Sequence, residues 1–368
     1  MVNKILLYLK HFDWILFASV ILLICFGLIE LYSIALGQGS LDLANFNKQI
    51  FFVIASIFVL FIIAFFDYNN LRSFNNYFYV FGVLLLVAVL IFGKEIRGTK
   101  AWFDFGGFSL QPVEFVKFIL IIFLARYFSS KTLKLKPLKH LIISGIGSLI
   151  FVILVLFQPD FGSALVLFLL WALMIVISGF KMRYILIIGL IIAIAFSVGW
   201  LFLFQDYQKE RVLTFLNPAN DSLDAGYNIA QATIAVGAGG VTGRGVGLGS
   251  QSQLKFLPEA QNDFIFAVIA EELGFVGVFL VTAFFLVLFY RILKAIKNAP
   301  NDFGIYFLLG MGVLIFIEMF INIGMNIGLL PVIGISLPFL SYGGSAILSS
   351  LMLIGVAESI IIRSKLKY

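Results

Sequence analysis

Glu114 and Lys117 stand three residues apart in Gln111-Pro112-Val113-Glu114-Phe115-Val116-Lys117, inside an apolar run. On a helix they share a face and can pair, and Gln111 lies on that face too. Pro112 suits the first turn of such a helix. A charge at membrane depth is costly and is a functional candidate by default, yet a buried pair can equally lock packing. Asp263 stands where the polar stretch Pro258-Glu259-Ala260-Gln261-Asn262 gives way to a second apolar run. There it could cap a helix by satisfying free backbone N–H groups, accept a proton from a hydroxyl at the mouth of a bundle, or do both. Glu271 and Glu272 follow further along the same run. Adjacent helical residues point about 100° apart, so the two are not expected to face one partner. Glu318, Asn322 and Asn326 recur every four residues and form one polar stripe, read as a helix-packing feature.

Two glycine clusters add backbone donors. Gly237-Ala-Gly-Gly-Val-Thr-Gly243-Arg-Gly-Val-Gly247-Leu-Gly249 could cradle an anion through close-spaced N–H groups. It matches neither a P-loop nor a Rossmann fingerprint. Ser341-Tyr342-Gly343-Gly344-Ser345 opens an apolar helix whose positive end could receive an anion.

The elements that hold these residues must be membrane helices. Of 368 residues, 62% are hydrophobic and 12% charged. Mean hydropathy is +1.09. Such a chain is not soluble, disordered or fibrous. Its long continuous apolar runs also exclude a porin-type barrel. A single Cys25 excludes a disulfide framework or a cysteine metal cluster, and two histidines, His11 and His140, make no histidine-rich metal site. The net charge of +6 is dispersed at helix ends, so no nucleic-acid partner is expected.

A spanning helix needs about 20 mostly apolar residues. Ten segments qualify, roughly 14–35, 48–66, 77–93, 110–128, 140–157, 161–179, 183–204, 263–290, 303–327 and 343–362. The fifth and sixth are split by Gln158-Pro159-Asp160-Phe161-Gly162, a turn signal. The first is too long for a signal-peptide core and has no clean cleavage site, so it is expected to stay as a helix. The fold expected is an all-α membrane protein, a polytopic bundle of about ten transmembrane helices. It forms one domain over 1–368 with one long outer loop, 205–262. With cytoplasmic termini, sixteen basic residues fall inside and eight outside, leaving Lys117 within the membrane. That bias sets the orientation. Lys100, Gln111, Asp160, Arg211, Glu259, Asp263 and Ser341 then gather on the outer face. A conduction path needs polar groups at both faces, so a one-sided cluster reads as a site served from the outer leaflet.

The sequence resembles the SEDS family (shape, elongation, division and sporulation) of bacterial cell-wall polymerases. The matching stretches run in family order. They are Gly98-Thr-Lys-Ala-Trp102 with Gln111-Pro112-Val113-Glu114 and Lys117; Gln158-Pro-Asp-Phe-Gly-Ser-Ala-Leu165; Tyr207-Gln208 with Arg211 and Phe215-Leu-Asn-Pro218; Gly226-Tyr227 with Gln231 and Ile234-Ala-Val-Gly-Ala-Gly-Gly240; Gly249 to Glu259 with Asp263-Phe-Ile-Phe-Ala267 and Glu271-Glu-Leu-Gly274; and Asn322-Ile-Gly-Met325 with Leu330-Pro-Val-Ile-Gly334 and Pro338 to Ser345. The chain departs from the family at Ala101 and Ser109, usually basic, at Val113, usually Ser, and at Ala232, usually Ser.

The resemblance implies ten helices and a peptidoglycan glycosyltransferase that polymerises lipid II at the outer face of the bacterial cytoplasmic membrane. Asp263 matches the family's essential aspartate. Substrate contacts are expected from Lys100, Trp102, Gln111, Glu114, Lys117, Asp160, Arg211, Glu259 and Ser341. In this chemistry a sugar 4-hydroxyl attacks an anomeric carbon and a polyprenyl diphosphate leaves. Asp263 would take the hydroxyl proton. Lys100, Lys117, Arg211, the Ser341–Gly344 helix start, and a divalent cation (Mg or Mn) bridged by carboxylates are the candidates to hold the diphosphate. No organic cofactor is expected. A class B penicillin-binding protein transpeptidase is the partner the family implies. A lipid II flippase and a non-catalytic scaffold remain alternatives, as does a division role in place of elongation, toward which the short N-terminal tail leans.

Overall fold

The computed structural model describes residues 2–37, 43–96, 98–131, 137–181, 183–184, 186–187, 189–190, 209, 225–254 and 256–366. Helices dominate in the expected order. They are α1 (Val2–His11), α2 (Trp14–Leu36), α3 (Ala44–Phe65), α4 (Asn69–Ser73), α5 (Asn75–Phe92), α6 (Pro112–Lys131), α7 (Pro137–Leu156) and α8 (Phe161–Ile177), then α9 (Ala225–Ala238), α10 (Ser250–Gln253), α11 (Ile265–Lys297), α12 (Asp302–Asn326) and α13 (Gly344–Leu366). Seven of the described helices are long and apolar enough to cross a membrane. The apolar α8, at 17 residues, and α6, which carries four charges, also belong to the bundle. The span expected over 183–204 falls largely outside the described residues, as does Arg211.

Local chemistry sets several helix starts. Asp13 caps α2 by accepting from Leu16 N, and Asp160 caps α8 by accepting from Ser163 N. Asn301 caps α12 by accepting from Gly304 N. Each short polar side chain satisfies one of the four orphan donors of a first turn.

In lipid there is little hydrophobic drive between helices, so close packing and internal hydrogen bonds hold the bundle. α6 and α12 form its centre, with Leu120, Ile121, Ile122, Phe307, Leu308 and Met311 all at 0% exposure. α13 lies against α3 so closely that a Cβ on Gly355 would sit 2.8 Å from the Leu60 carbonyl. The outward faces of α3, α5 and α11 are apolar and exposed, as lipid contact requires.

The helices alternate in direction, which sorts their connections into two ends. One end carries Asp263 with the starts of α6, α8 and α13. The opposite end carries α1, α4 and the Asp13–Arg291 ion pair, where Glu358 of α13 accepts from Asp13 N at 2.9 Å.

Two stretches between the expected spans have structure. Residues 94–110 form a small antiparallel sheet of β1 (Lys94–Ile96), β2 (Thr99–Asp104) and β3 (Ser109–Leu110), in which Lys94 pairs with Trp102 and Phe103 with Leu110. The long connection over 205–262 contains α9, whose Ala232 and Ala235 are fully buried. Small side chains let α9 pack close to α11, so α9 is part of the bundle.

Candidate active site

The chain enters α11 through a turn at Glu259, which has φ 53°. Asn262 donates its N to the Glu259 carbonyl at 3.0 Å and its Nδ2 to the Glu259 carboxylate at 2.8 Å. Asp263 follows, half-buried, and Phe264 occupies the N-cap position with no side-chain cap of its own. Two amides of α12 converge on Asp263. Asn322 Nδ2 and Asn326 Nδ2 each donate to the Asp263 backbone carbonyl at 2.9 Å. Asn326 Oδ1 also accepts from Ala267 N at 3.1 Å. Asn326 thus holds one first-turn donor of α11, at Ala267. Both asparagines are fully buried. Gly334 borders the carboxylate, since a Cβ there would lie 3.6 Å from Asp263 Oδ2.

Ser341 braces the same turn from the other side. Its Oγ donates to the Asn262 carbonyl at 2.6 Å and accepts from Leu337 N at 2.8 Å. Tyr342 N donates to the Gln261 carbonyl at 2.8 Å, and Gly343 N to Gln49 Oε1 at 3.1 Å. Of the Ser341–Gly344 helix start expected to receive an anion, Ser341 Oγ and Tyr342 N are thus committed to the Asp263 turn and Gly343 N to Gln49. Burial raises the pKa of the Tyr342 hydroxyl above its ordinary value.

A second patch adjoins across the first turn of α13. Gln111 N donates to Ser345 Oγ at 2.9 Å, and Gln111 Nε2 to Asp160 Oδ2 at 3.4 Å. Asp160 Oδ2 also accepts from Ser163 Oγ at 2.7 Å. Lys100 lies on β2 and donates to the Ile91 carbonyl at 3.2 Å, and Trp102 is half-buried on the same strand. Beside Lys100 the departure Ala101 points inward, 1% exposed.

Deeper in the bundle Glu114 and Lys117 pair at 2.8 Å, as their spacing predicts. Glu318 of α12 binds the same ammonium at 2.7 Å. Lys117 is only 4% exposed and committed to two carboxylates, which corrects its reading as a diphosphate ligand. At the lip of the sheet Lys94 binds Asp104 at 2.7 Å. That hydrogen bond, with one from Gly106 N, holds the Asp104 carboxyl below its ordinary pKa.

Glu271 and Glu272 overturn the expectation that they face different partners. Glu271 accepts from Gln251 N at 2.8 Å and Ser252 N at 3.2 Å. Glu272 accepts from Gly247 N at 3.0 Å, Ser252 Oγ at 3.2 Å and Ser33 Oγ at 2.5 Å. Within the glycine-rich stretch Gly247 N thus serves the protein's own Glu272, and the residues that follow it serve Glu271. The cause is Gly274, at φ 63° and ψ −160°, which breaks the helical ladder. Phe275 N and Val276 N turn to the Gly240 and Val241 carbonyls, and Arg244 N and Gly245 N take the vacated Glu271 and Glu272 carbonyls. The loop thus wraps the helix at the break and reaches both side chains.

Sequence reading passed over Glu30, fully buried on α2 beside Glu272. An acid within the first apolar run was the available signal. It also missed Asn45, whose Nδ2 donates to Gln261 Oε1 at 3.0 Å. Among the described residues no three His, Cys, Asp or Glu side chains group to hold a metal.

Residues 13–366 match the model of the FtsW/RodA/SpoVE cell cycle protein family. The peptidoglycan glycosyltransferase MrdB of Escherichia coli K12 is 34% identical, the match covering 95% of this chain and 93% of that protein. Stage V sporulation protein E of Bacillus subtilis is 37% identical over 94% and 95% of the two chains. Among solved structures, a chain from work on coordinated polymerization and crosslinking by a peptidoglycan synthase complex superposes with a TM-score of 0.82, at 27% identity over 96% of this chain and 98% of that one. The rod shape determining protein RodA of Thermus thermophilus superposes at 0.71, at 24% identity over 97% and 98% of the two chains, a likeness of fold. This chain belongs to the FtsW/RodA/SpoVE family, the SEDS family of the sequence reading. It is a multi-pass bacterial membrane protein and a peptidoglycan glycosyltransferase.

Proposed function

We propose that the chain polymerises lipid II at the outer leaflet, with cytoplasmic termini and Asp263 as general base. Asp263 takes the proton from the acceptor 4-hydroxyl as that oxygen bonds to the donor's anomeric carbon. The bond from that carbon to the diphosphate oxygen breaks, and its electron pair leaves with the polyprenyl diphosphate. An α-linked donor gives a β-linked chain by this single inversion. Lys100 on β2 and Arg211 are the cations proposed for the diphosphate, with Trp102, Gln111, Asp160 and Glu259 at the rim of the sugar site. Glu114 and Lys117 act through packing, as their closed ion cluster with Glu318 indicates.

The observation that carries this reading is the mount of Asp263. Its main chain is fixed by two buried asparagines while the adjoining residue is fixed by Ser341. A base must hold its geometry through the proton transfer. Purified Asp263→Asn protein should keep the wild-type melting temperature and lose polymerisation of purified lipid II by about 10²- to 10⁴-fold. Chain formation at the wild-type rate would remove Asp263 from the chemistry.

Cell elongation is the proposed setting, with a class B penicillin-binding protein as the crosslinking partner. The neighbouring solved complex, which couples polymerization to crosslinking, supports such a pairing. Restoration of rod shape but not of septation, in bacteria depleted of each resident polymerase in turn, tests the choice between elongation and division.

A further inference from the structure

At the end of the bundle opposite Asp263, a cavity of about 510 Å³ opens between α4 and α6, lined by Asn69, Arg72, Ser73 and Arg126. Two guanidinium groups from separate elements line it. Neither makes an ion pair among the described residues. Arg126 is preset, because its Nη1 donates to the Arg72 carbonyl at 2.6 Å. The nearby carboxylate, Asp67, is already engaged: it lies 3.5 Å from Arg363 and accepts from the Asn69 N and Nδ2 at 2.9 Å. The cavity therefore keeps a net positive lining.

Exposed aromatic residues follow Ser73 in the chain. Phe74, next in the chain to Ser73, is 54% exposed, and Tyr77 is 76% exposed with its ring 6.1 Å from that of Phe74. Exposed aromatic side chains mark the level where headgroups meet acyl chains. Basic pockets between membrane helices on the cytoplasmic side suit anionic headgroups, and the planar guanidinium matches phosphate oxygens.

We propose that this cavity binds the phosphate of an anionic phospholipid of the inner leaflet, its acyl chains lying over Phe74 and Tyr77. The phosphate would lie between the Arg72 and Arg126 guanidinium groups. The side assignment rests on the orientation given above, while the site is separate from the polymerisation chemistry.

The test uses the full chain in neutral detergent, titrated with equal amounts of phosphatidylglycerol and phosphatidylcholine and read by native mass spectrometry. Wild type should retain phosphatidylglycerol selectively. Arg72→Gln/Arg126→Gln should weaken that retention by roughly 30-fold, from about five-fold per basic residue near the surface. Arg72→Gln alone, at an exposed side chain, should lose part of it with an unchanged melting temperature. Lys294→Gln/Lys297→Gln, which removes the same charge from the end of α11, should retain the lipid as wild type does. Equal loss in the lysine variant, or none in the arginine variants, overturns the site. Displacement of the lipid by inorganic phosphate at the same concentration overturns the lipid assignment. A polymerisation failure at Asp263 leaves this measurement untouched.

Discussion

At Glu271 and Glu272 the glycine-rich loop bonds the carboxylate oxygens, whereas at Asp263, earlier in the same chain segment, α12 bonds the main chain. All four oxygens of the glutamate pair accept hydrogen bonds from neutral donors. Such carboxylates are anchors: removing one leaves several buried donors without an acceptor. The aspartate's mount includes its main chain, because asparagine amides hold its carbonyl. A substitution at Asp263 can therefore abolish chemistry and spare the fold, while a substitution at the anchor should do the reverse.

The largest expected effect breaks the anchor. Gly274 lies in a φ, ψ region open essentially to glycine, and a Cβ there would sit 2.2 Å from Gly243 N. Gly274→Ala should cost roughly 3 kcal/mol or more and detach the loop from α11. Thermal unfolding in detergent, together with protease cleavage within 237–253, reads both consequences. A wild-type melting curve and an intact loop would show that the exchange of backbone bonds at the break is dispensable.

Next comes the mount. Asn322→Ala leaves the Ile335 and Asp263 carbonyls each without one buried donor. The expected cost is about 1–3 kcal/mol, with a smaller loss of polymerisation than Asp263→Asn gives. The distinguishing readout is kcat measured well below the melting temperature, where the variant is fully folded. A fall in kcat with KM unchanged identifies a positioning residue. An unchanged kcat would reduce Asn322 to packing, the role its spacing first suggested.

The difference between the two sites was only partly visible in the sequence. Asp263 and the Glu114–Lys117 pair were legible because their logic is local: a polar residue at the edge of an apolar run, and two charges one helical turn apart. The third member of the ion cluster was not, since Glu318 lies far along the chain and only packing of α12 on α6 brings it to Lys117. The stripe of Glu318, Asn322 and Asn326 was read correctly as one face, but nothing in its spacing says that the lower two grip a backbone carbonyl. The glutamate anchor was misread because an unbroken helix was assumed. Gly274 was in plain view, but a glycine in a helical pattern does not announce that a loop will replace its ladder bonds. The sheet at 94–110 and helix α9 escaped because short strands and a small-residue helix carry weak periodicity.

Asp104 sharpens the contrast from the weak side, as an acid at the same end held by an exposed lysine instead of buried donors. Its pKa is lowered in the fold, first by the Lys94 hydrogen bond and then by Gly106 N. A group with a lowered folded pKa stabilises fully above its unfolded value, and that contribution disappears as pH falls through the folded one. The hairpin should thus hold near neutral pH and loosen only below the ordinary aspartate value of 3.8. Trp102, paired with Lys94 across β1 and β2, reports on it. With the other three tryptophans changed to Phe, its emission should shift in acid, and Lys94→Met should move that shift to higher pH. The global melting temperature near neutrality should barely change, because exposed ion pairs contribute little. Coincident acid curves for the two proteins would assign the lowered pKa to the Gly106 backbone in place of Lys94.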